Sequence, residues 1–189
     1  RWSDQESSVD WTPTATNQAG GIQLSQGSTI IGALQTRQEI LIWTDVGITS
    51  MRFVGDPFIF SFIEVASGPS LISPNAAVSA NNRVYFMDRG GFYTYSGSAQ
   101  RLPCTVLDYV FSDINLGQQY KCFAASIEAN NEVIWFYPSS ESSEINRYVM
   151  YNYLENAWSI GTTDDGFTRT AWIEAPTLDF PLASGKTTG

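Results

Sequence analysis

The sequence predicts an all-β fold of β-propeller-like blades, each of about four antiparallel strands, with one short amphipathic helix inserted between blades. Two observations carry this expectation. A polar turn running into a dense apolar strand occurs three times: Gln38 to Asp45 reads QEILIWTD, Asn82 to Arg89 reads NRVYFMDR, and Asn131 to Pro138 reads NEVIWFYP. With Ile40, Val84 and Val133 as the register, the copies lie 44 and then 49 residues apart. Upstream, Gly32-Ala33-Leu34, Ala76-Ala77-Val78 and Ala125-Ser126-Ile127 fall in the same three columns without a gap: small, small, aliphatic. A period in the forties with several strands per copy marks a repeat architecture, and propeller blades are its commonest form.

The columns have a physical rationale. Innermost strands of a propeller converge on a central axis, where side chains have little room. Bulky residues of the following strands fill the space between neighbouring blades: Trp43, Met87 and Phe136 share one column, and Ile42, Phe86 and Trp135 the adjacent one. A plain β-sandwich core would also bury such residues, but the constant offset favours blades.

Taken in order, residues 1–189 read as a single, incomplete propeller domain. The first residue is not a methionine, which suggests a piece of something longer. Arg1 to Asp4, Val9 to Pro13 and Ile22 to Leu24 are expected as strands of a partial blade at 1–26. The first full blade spans 29–66, with strands at Ile30 to Gln35, Ile40 to Thr44, Ile48 to Val54 and Phe58 to Val65, separated by Gly, Asp and Pro punctuation. In the last of these, Phe58, Phe60 and Phe62 alternate onto one face. Ser67 to Asn75 is a Pro/Ser/Gly/Asn-rich connector. The second blade, 75–103, has strands at Ala76 to Ala80, Val84 to Asp88, Gly91 to Tyr95 and Gln100 to Leu102.

The period then breaks. Val106, Leu107, Val110, Phe111 and Ile114 fall at helical spacing, with Asp108 and Asp113 off the apolar stripe, which predicts a helical insert at 105–115. The third blade, 122–160, has strands at Phe123 to Ile127, Val133 to Tyr137 and Arg147 to Tyr153, closed by Trp158. Its loop Ser139 to Asn146 is expected to be a mobile surface loop. A fourth blade begins at 167–175, and the polar tail beyond Ala175 is expected to fray.

Composition excludes several functions. The net charge of −9 opposes a sequence-independent grip on nucleic acid or on an anionic membrane. No apolar run is long enough to span a bilayer, so no membrane insertion is expected. The chain has no histidine, which removes the usual general base and the commonest transition-metal ligand. Cys104 and Cys122 do not make a disulfide framework and read as free buried thiols.

Three patterns resemble catalytic or ligand sites and are weighed down by their context. Gly185-Lys186-Thr187 ends like a phosphate loop, but Phe180 stands where that loop needs a glycine. The acid pairs Asp164 with Asp165, and Glu141 with Glu144, lie in Ser/Thr/Gly loops where solvated turn residues are the norm. Asp164-Asp165-Gly166 also lacks the alternating oxygen ligands of a calcium loop. The expectation is therefore no catalytic residue, no cofactor and no metal. Trp11, Tyr120 and Trp172 are the aromatic residues that strand periodicity does not place in the core, which leaves a carbohydrate-binding surface open.

Over roughly residues 1 to 160 the chain resembles tail hub, nozzle or stabilisation proteins of short-tailed bacteriophages. The likeness rests on RWSDQES at Arg1, DWTPTATNQAG at Asp10, TRQEILIWTD at Thr36, SMRFVGDPF at Ser50, GPSLISPNAA at Gly68, LPCTVLDYVFSDIN at Leu102 and RYVMYNYLENAWS at Arg147. It implies a non-enzymatic structural component of the virion, assembled in the host cytoplasm into a homo-oligomeric ring, often a hexamer. Such a ring attaches to the portal or adaptor and other tail proteins and extends the channel through which DNA leaves. An acidic channel wall would let the DNA pass without specific binding. The competing expectation is a glycan-binding receptor-recognition module on the same scaffold.

Overall fold

The computed structural model of the protein describes residues 1–25, 27–163, 167–174, 177 and 181–187. Among them, strands form three four-stranded meanders and one two-stranded sheet, with antiparallel pairing throughout. The first sheet comprises β1 (Ile30–Gln35), β2 (Ile40–Thr44), β3 (Gly47–Gly55) and β4 (Ile59–Ser67). The second comprises β5 (Ala77–Ala80), β6 (Arg83–Asp88), β7 (Gly91–Tyr95) and β8 (Ala99–Arg101). The third comprises β9 (Phe123–Ile127), β10 (Glu132–Tyr137), β11 (Arg147–Asn152) and β12 (Ala157–Thr162). A fourth pairs β13 (Phe167–Ile173) with β14 (Leu182–Thr187). The three four-stranded sheets run over 30–67, 77–101 and 123–162, overlapping the intervals 29–66, 75–103 and 122–160 expected for blades, and β13 overlaps the interval 167–175.

The second strand of each sheet organises the core. Side chains alternate faces along a strand, and on β6 both faces are buried. Val84 and Phe86 pack with Leu41, Trp43 and Ile48 of the first sheet. Tyr85 and Met87 pack with Val133, Trp135 and Tyr137 of the third. On β10 the same division recurs, with Trp135 facing the second sheet and Ile134 and Phe136 facing β13, where Trp172 closes the contact. Trp43, Met87 and Phe136 therefore each face the following sheet. Phe86 and Trp135 face the preceding one. Edge-to-face contact of Trp43 with Phe86, at 5.4 Å between ring centroids, joins the two columns across the first interface.

One expected column is shifted in the third repeat. Pairing opposes Ala33 to Ile42 and Ala77 to Phe86, but Ala124, not Ser126, to Trp135. The physical cause is the first hairpin turn. Ala80 and Arg83 close a turn whose two residues, Asn81 and Asn82, both have positive φ, the geometry a two-residue hairpin needs. In the third sheet a 3-10 turn, Glu128–Asn130, followed by left-handed Asn131, makes that connection longer. The counterparts of Gly32-Ala33-Leu34 and Ala76-Ala77-Val78 are thus Phe123-Ala124-Ala125.

The connector between the first two sheets is not a surface loop: Ser70 to Ser73 is buried. The Ser70 hydroxyl donates to the Thr44 carbonyl, Ile72 N–H to the Met87 carbonyl (2.9 Å), and the Ser73 hydroxyl to the Cys122 carbonyl. This strap joins the first three sheets. The helical insert is α1 (Leu107–Asp113), which buries Val110, with Ile114 just beyond it, and sets Phe111 against Phe92 at 5.5 Å. Asp108 is exposed, while Asp113 lies 3.5 Å from Arg147.

Two expectations at the ends fail. Residues 1–25 contain no strand, only an isolated bridge between Trp2 and Gly20. Polar side chains cap the backbone locally instead: Asp4 accepts from Gln18 N–H at 2.7 Å, the Ser7 hydroxyl from Asp10 N–H, and Asn17 from Thr14 N–H. Such bonds compete with strand pairing. The segment is held by Trp2, whose ring lies 5.2 Å from Phe60 and 5.9 Å from Phe62. Phe58 does not join that face and is 75% exposed, since it precedes β4 and positive φ at Ile59 turns the chain at the strand's first residue. At the other end, the tail expected to fray supplies β14.

Burial of the strap yields a stability prediction. Ile72→Ala should cost about 2–5 kcal/mol in urea unfolding, whereas Ile22→Ala, on the exposed N-terminal segment, should change stability by roughly 0.5 kcal/mol or less.

Candidate functional site

The first strands of all four sheets meet at one open cavity of about 610 Å³. Ala33, Ala77, Ala124 and Ala171 contribute to its wall from β1, β5, β9 and β13 respectively. β5 and β9 approach side by side, with a parallel bridge between Asn75 and Phe123 and Ala124 N–H donating to the Asn75 carbonyl at 2.8 Å. The crowding that small residues relieve is explicit at Gly32, where a Cβ would stand 2.9 Å from the Pro74 carbonyl oxygen. Ser126 is not part of this wall.

Above the alanines, polar and aromatic groups line the cavity. Tyr120 is 62% exposed and its hydroxyl bonds Gln118 at 3.0 Å. Trp172 is half-buried, its ring 5.6 Å from that of Phe136. Between them in chain order, Lys121 pairs with Glu144 at 3.1 Å and donates to the Ser143 carbonyl at 2.6 Å. With Arg169 also on the wall, the charged groups here are two cations and one carboxylate. The acidic excess of the chain lies elsewhere.

A second, polar cleft of about 570 Å³ opens beside the first-hairpin turns of the first two sheets and contains Arg37, Arg52, Arg83 and Glu39. Burial disfavours the Glu39 carboxylate, but hydrogen bonds from Ser50, Arg52 and Tyr95 together hold it below its ordinary value. The same network, after burial, pushes the Tyr95 hydroxyl up to about 12.

Of the residues singled out from sequence, Tyr120 and Trp172 come together at the inner cavity. Trp11 does not: it is exposed on the N-terminal segment, its indole N–H donating to the Ser8 carbonyl at 2.9 Å. Glu141 is exposed while Glu144 is committed to Lys121. Their loop, expected to be mobile, is tied down: Ser139 and Ile145 are buried, and Asn115 donates to the Ser142 carbonyl at 2.9 Å. Asp164, Asp165, Gly166 and Phe180 lie outside the described residues. Gly185, Lys186 and Thr187 lie within β14. Both cysteines are free, Cys122 buried and Cys104 half-buried. Among the described residues no group of three His, Cys, Asp or Glu is placed to hold a metal ion, and no helix is long and apolar enough to cross a membrane. Sequence reasoning missed Lys121, Arg169 and Asn75. Asn75 directly precedes the recognised Ala76-Ala77-Val78 column, while Lys121 lies two residues before an expected strand and Arg169 within another, where no repeat marked them.

Compared with known proteins, the chain matches no protein-family model, and no curated protein is significantly similar to it.

Two measurements probe these environments. Burial pushes the Cys122 thiol up to about 12 and raises that of Cys104 as well; because Cys104 is only half-buried, iodoacetamide should alkylate it faster than Cys122 in the folded protein, with Cys122 reacting readily only once denaturant is added. For Glu39, a depressed folded pKa means stabilisation present above the unfolded carboxylate value of about 4.5 and lost as pH falls through the folded value. Urea unfolding should thus find Glu39→Gln less stable than wild type at neutral pH, with the gap closing in acid.

Proposed function

We propose that the sheets are propeller blades arranged about the inner cavity, and that the chain is a non-enzymatic structural component of a bacteriophage tail, a hub or nozzle ring that extends the DNA exit channel. Three features support the architecture: the equivalent facing roles of Trp43, Met87 and Phe136, the alanines of four first strands around one cavity, and the parallel approach of β5 and β9. The phage assignment comes from the resemblance of residues 1 to 160.

The observation that carries an assembly role is the outer hairpin of the first sheet. Its strands β3 and β4 run nine residues each, longer than the five or six of β1 and β2. At and near its tip Phe53 is 69% exposed, Phe58 75%, Ile63 53% and Val54 52%. Exposed apolar side chains gathered on one projecting hairpin suit an interaction site. A second copy of the chain is the partner that a ring requires. The portal or adaptor and other tail proteins would engage the ring, which is carried in the virion. DNA would pass through the channel between copies, away from the cationic groups of the inner cavity.

The exposed hairpin generates a test. Phe53→Glu with Phe58→Glu should leave the folded monomer intact and shift the protein from ring to monomer in native mass spectrometry. Antibody raised against the chain should label the tail of intact virions in electron micrographs. A wild-type protein that stays monomeric, together with unlabelled tails, would remove this reading.

A further inference from the structure

We propose that the inner cavity is a binding site for a short neutral saccharide, with Tyr120 and Trp172 as its aromatic platforms. The inference rests on the gathering of four first strands around the cavity and is independent of the tail role. The volume, about 610 Å³, lies within the range of small-ligand sites, roughly 300–1,000 Å³. Its composition is that of a sugar site: a floor of alanines that leaves room for a ring, flat aromatic side chains, and polar groups close beside them.

The two aromatics are among the three that strand periodicity could not assign to the core, and they arrive from distant parts of the chain. Tyr120 precedes β9 in the short 3-10 segment Leu116–Lys121, and Trp172 sits on β13. Tyr120 exposes most of its surface, with the Lys121 ammonium 5.9 Å from its ring centroid, so the ring is accessible to a ligand. Trp172 is braced by Phe136, so its orientation is fixed before any ligand arrives. A sugar presents C–H groups on its face and hydroxyls at its edge. The faces would lie on the rings, and the hydroxyls within reach of Lys121, Glu144 and Asn75, which supply both donors and acceptors.

Electrostatics selects a neutral ligand over a phosphorylated or carboxylated one. Lys121 is already neutralised by Glu144 at 3.1 Å, its ammonium is further occupied by the Ser143 carbonyl, and Arg169, the second cation on the wall, is itself engaged within the protein. The chain as a whole carries −9, which repels anions at long range.

Saturation-transfer NMR of the intact chain with chitotriose, maltotriose and trigalacturonic acid tests the proposal. Transfer to the ring C–H protons of a neutral trisaccharide is expected, and Tyr120→Ala should weaken its binding roughly tenfold or more, the scale of losing one aromatic stacking contact. Because Tyr120 is exposed, that variant should keep the wild-type circular dichroism spectrum. Trp172→Phe, which retains packing on Phe136, should weaken binding as well and gives a second measurement if Tyr120→Ala alters the fold. No transfer to either neutral sugar, transfer unchanged in both variants, or binding of trigalacturonic acid alone would overturn it. Ring formation measured on the same samples separates this outcome from that of the tail assignment.

Discussion

The structure depends on two central strands, β6 and β10, whose two faces are both buried. A strand in a one-sided sheet alternates apolar and polar residues; β6 and β10 instead carry near-continuous apolar runs, because each contributes to the interface before it and the interface after it, whereas β2 buries Leu41 and Trp43 against the second sheet and leaves Ile40 and Ile42 half-buried. Leu41, Val84, Phe86, Met87, Val133, Trp135 and Phe136 are all essentially removed from solvent. At roughly 25 cal/mol per Å² of apolar surface, burying such side chains supplies the dominant favourable term of folding. It also fixes order: a sheet with two apolar faces has to lie between two others.

From that constraint the cavity follows. Sheets stacked through their second strands bring their first strands to one side, where backbone approaches backbone. Alanine recurs there on all four first strands, and at Gly32 an added Cβ would stand 2.9 Å from the Pro74 carbonyl oxygen. The outward strands face no such limit. They can lengthen, as β3 and β4 do, and expose what the inner strands cannot.

How much of this was legible in the sequence varies with the range of the forces involved. Strand identities were readable because local patterns set them: β1, β2, β7 and β9 fall on the residues that alternation and punctuation mark. The Trp43 and Phe86 columns were readable because they repeat. The Ser126 column was not, since a longer turn at Glu128–Asn130 moves the pairing by two residues while leaving β10 unchanged. Sequence spacing alone cannot say on which side of a strand an insertion falls. The N-terminal segment misled for a different reason: its Trp and Val residues suit a strand, but Asp4, Ser7 and Asn17 satisfy the backbone through their own side chains. At the cavity, Tyr120 and Trp172 were recognisable as unplaced aromatics. Their meeting was not, because it depends on β13 closing against Phe136, a contact between residues far apart in the chain.

The strap of residues 70–73 has a consequence for how the molecule comes apart. Ordinary tandem repeats touch only their immediate neighbours, so a terminal unit can melt while the others persist. Here one buried peptide bonds Thr44, Met87 and Cys122 at once. Loosening any of the first three sheets exposes polar groups belonging to the other two. These three therefore open together, as a single cooperative unit, while the two-stranded β13–β14 hairpin, outside the strap, is left free to open by itself.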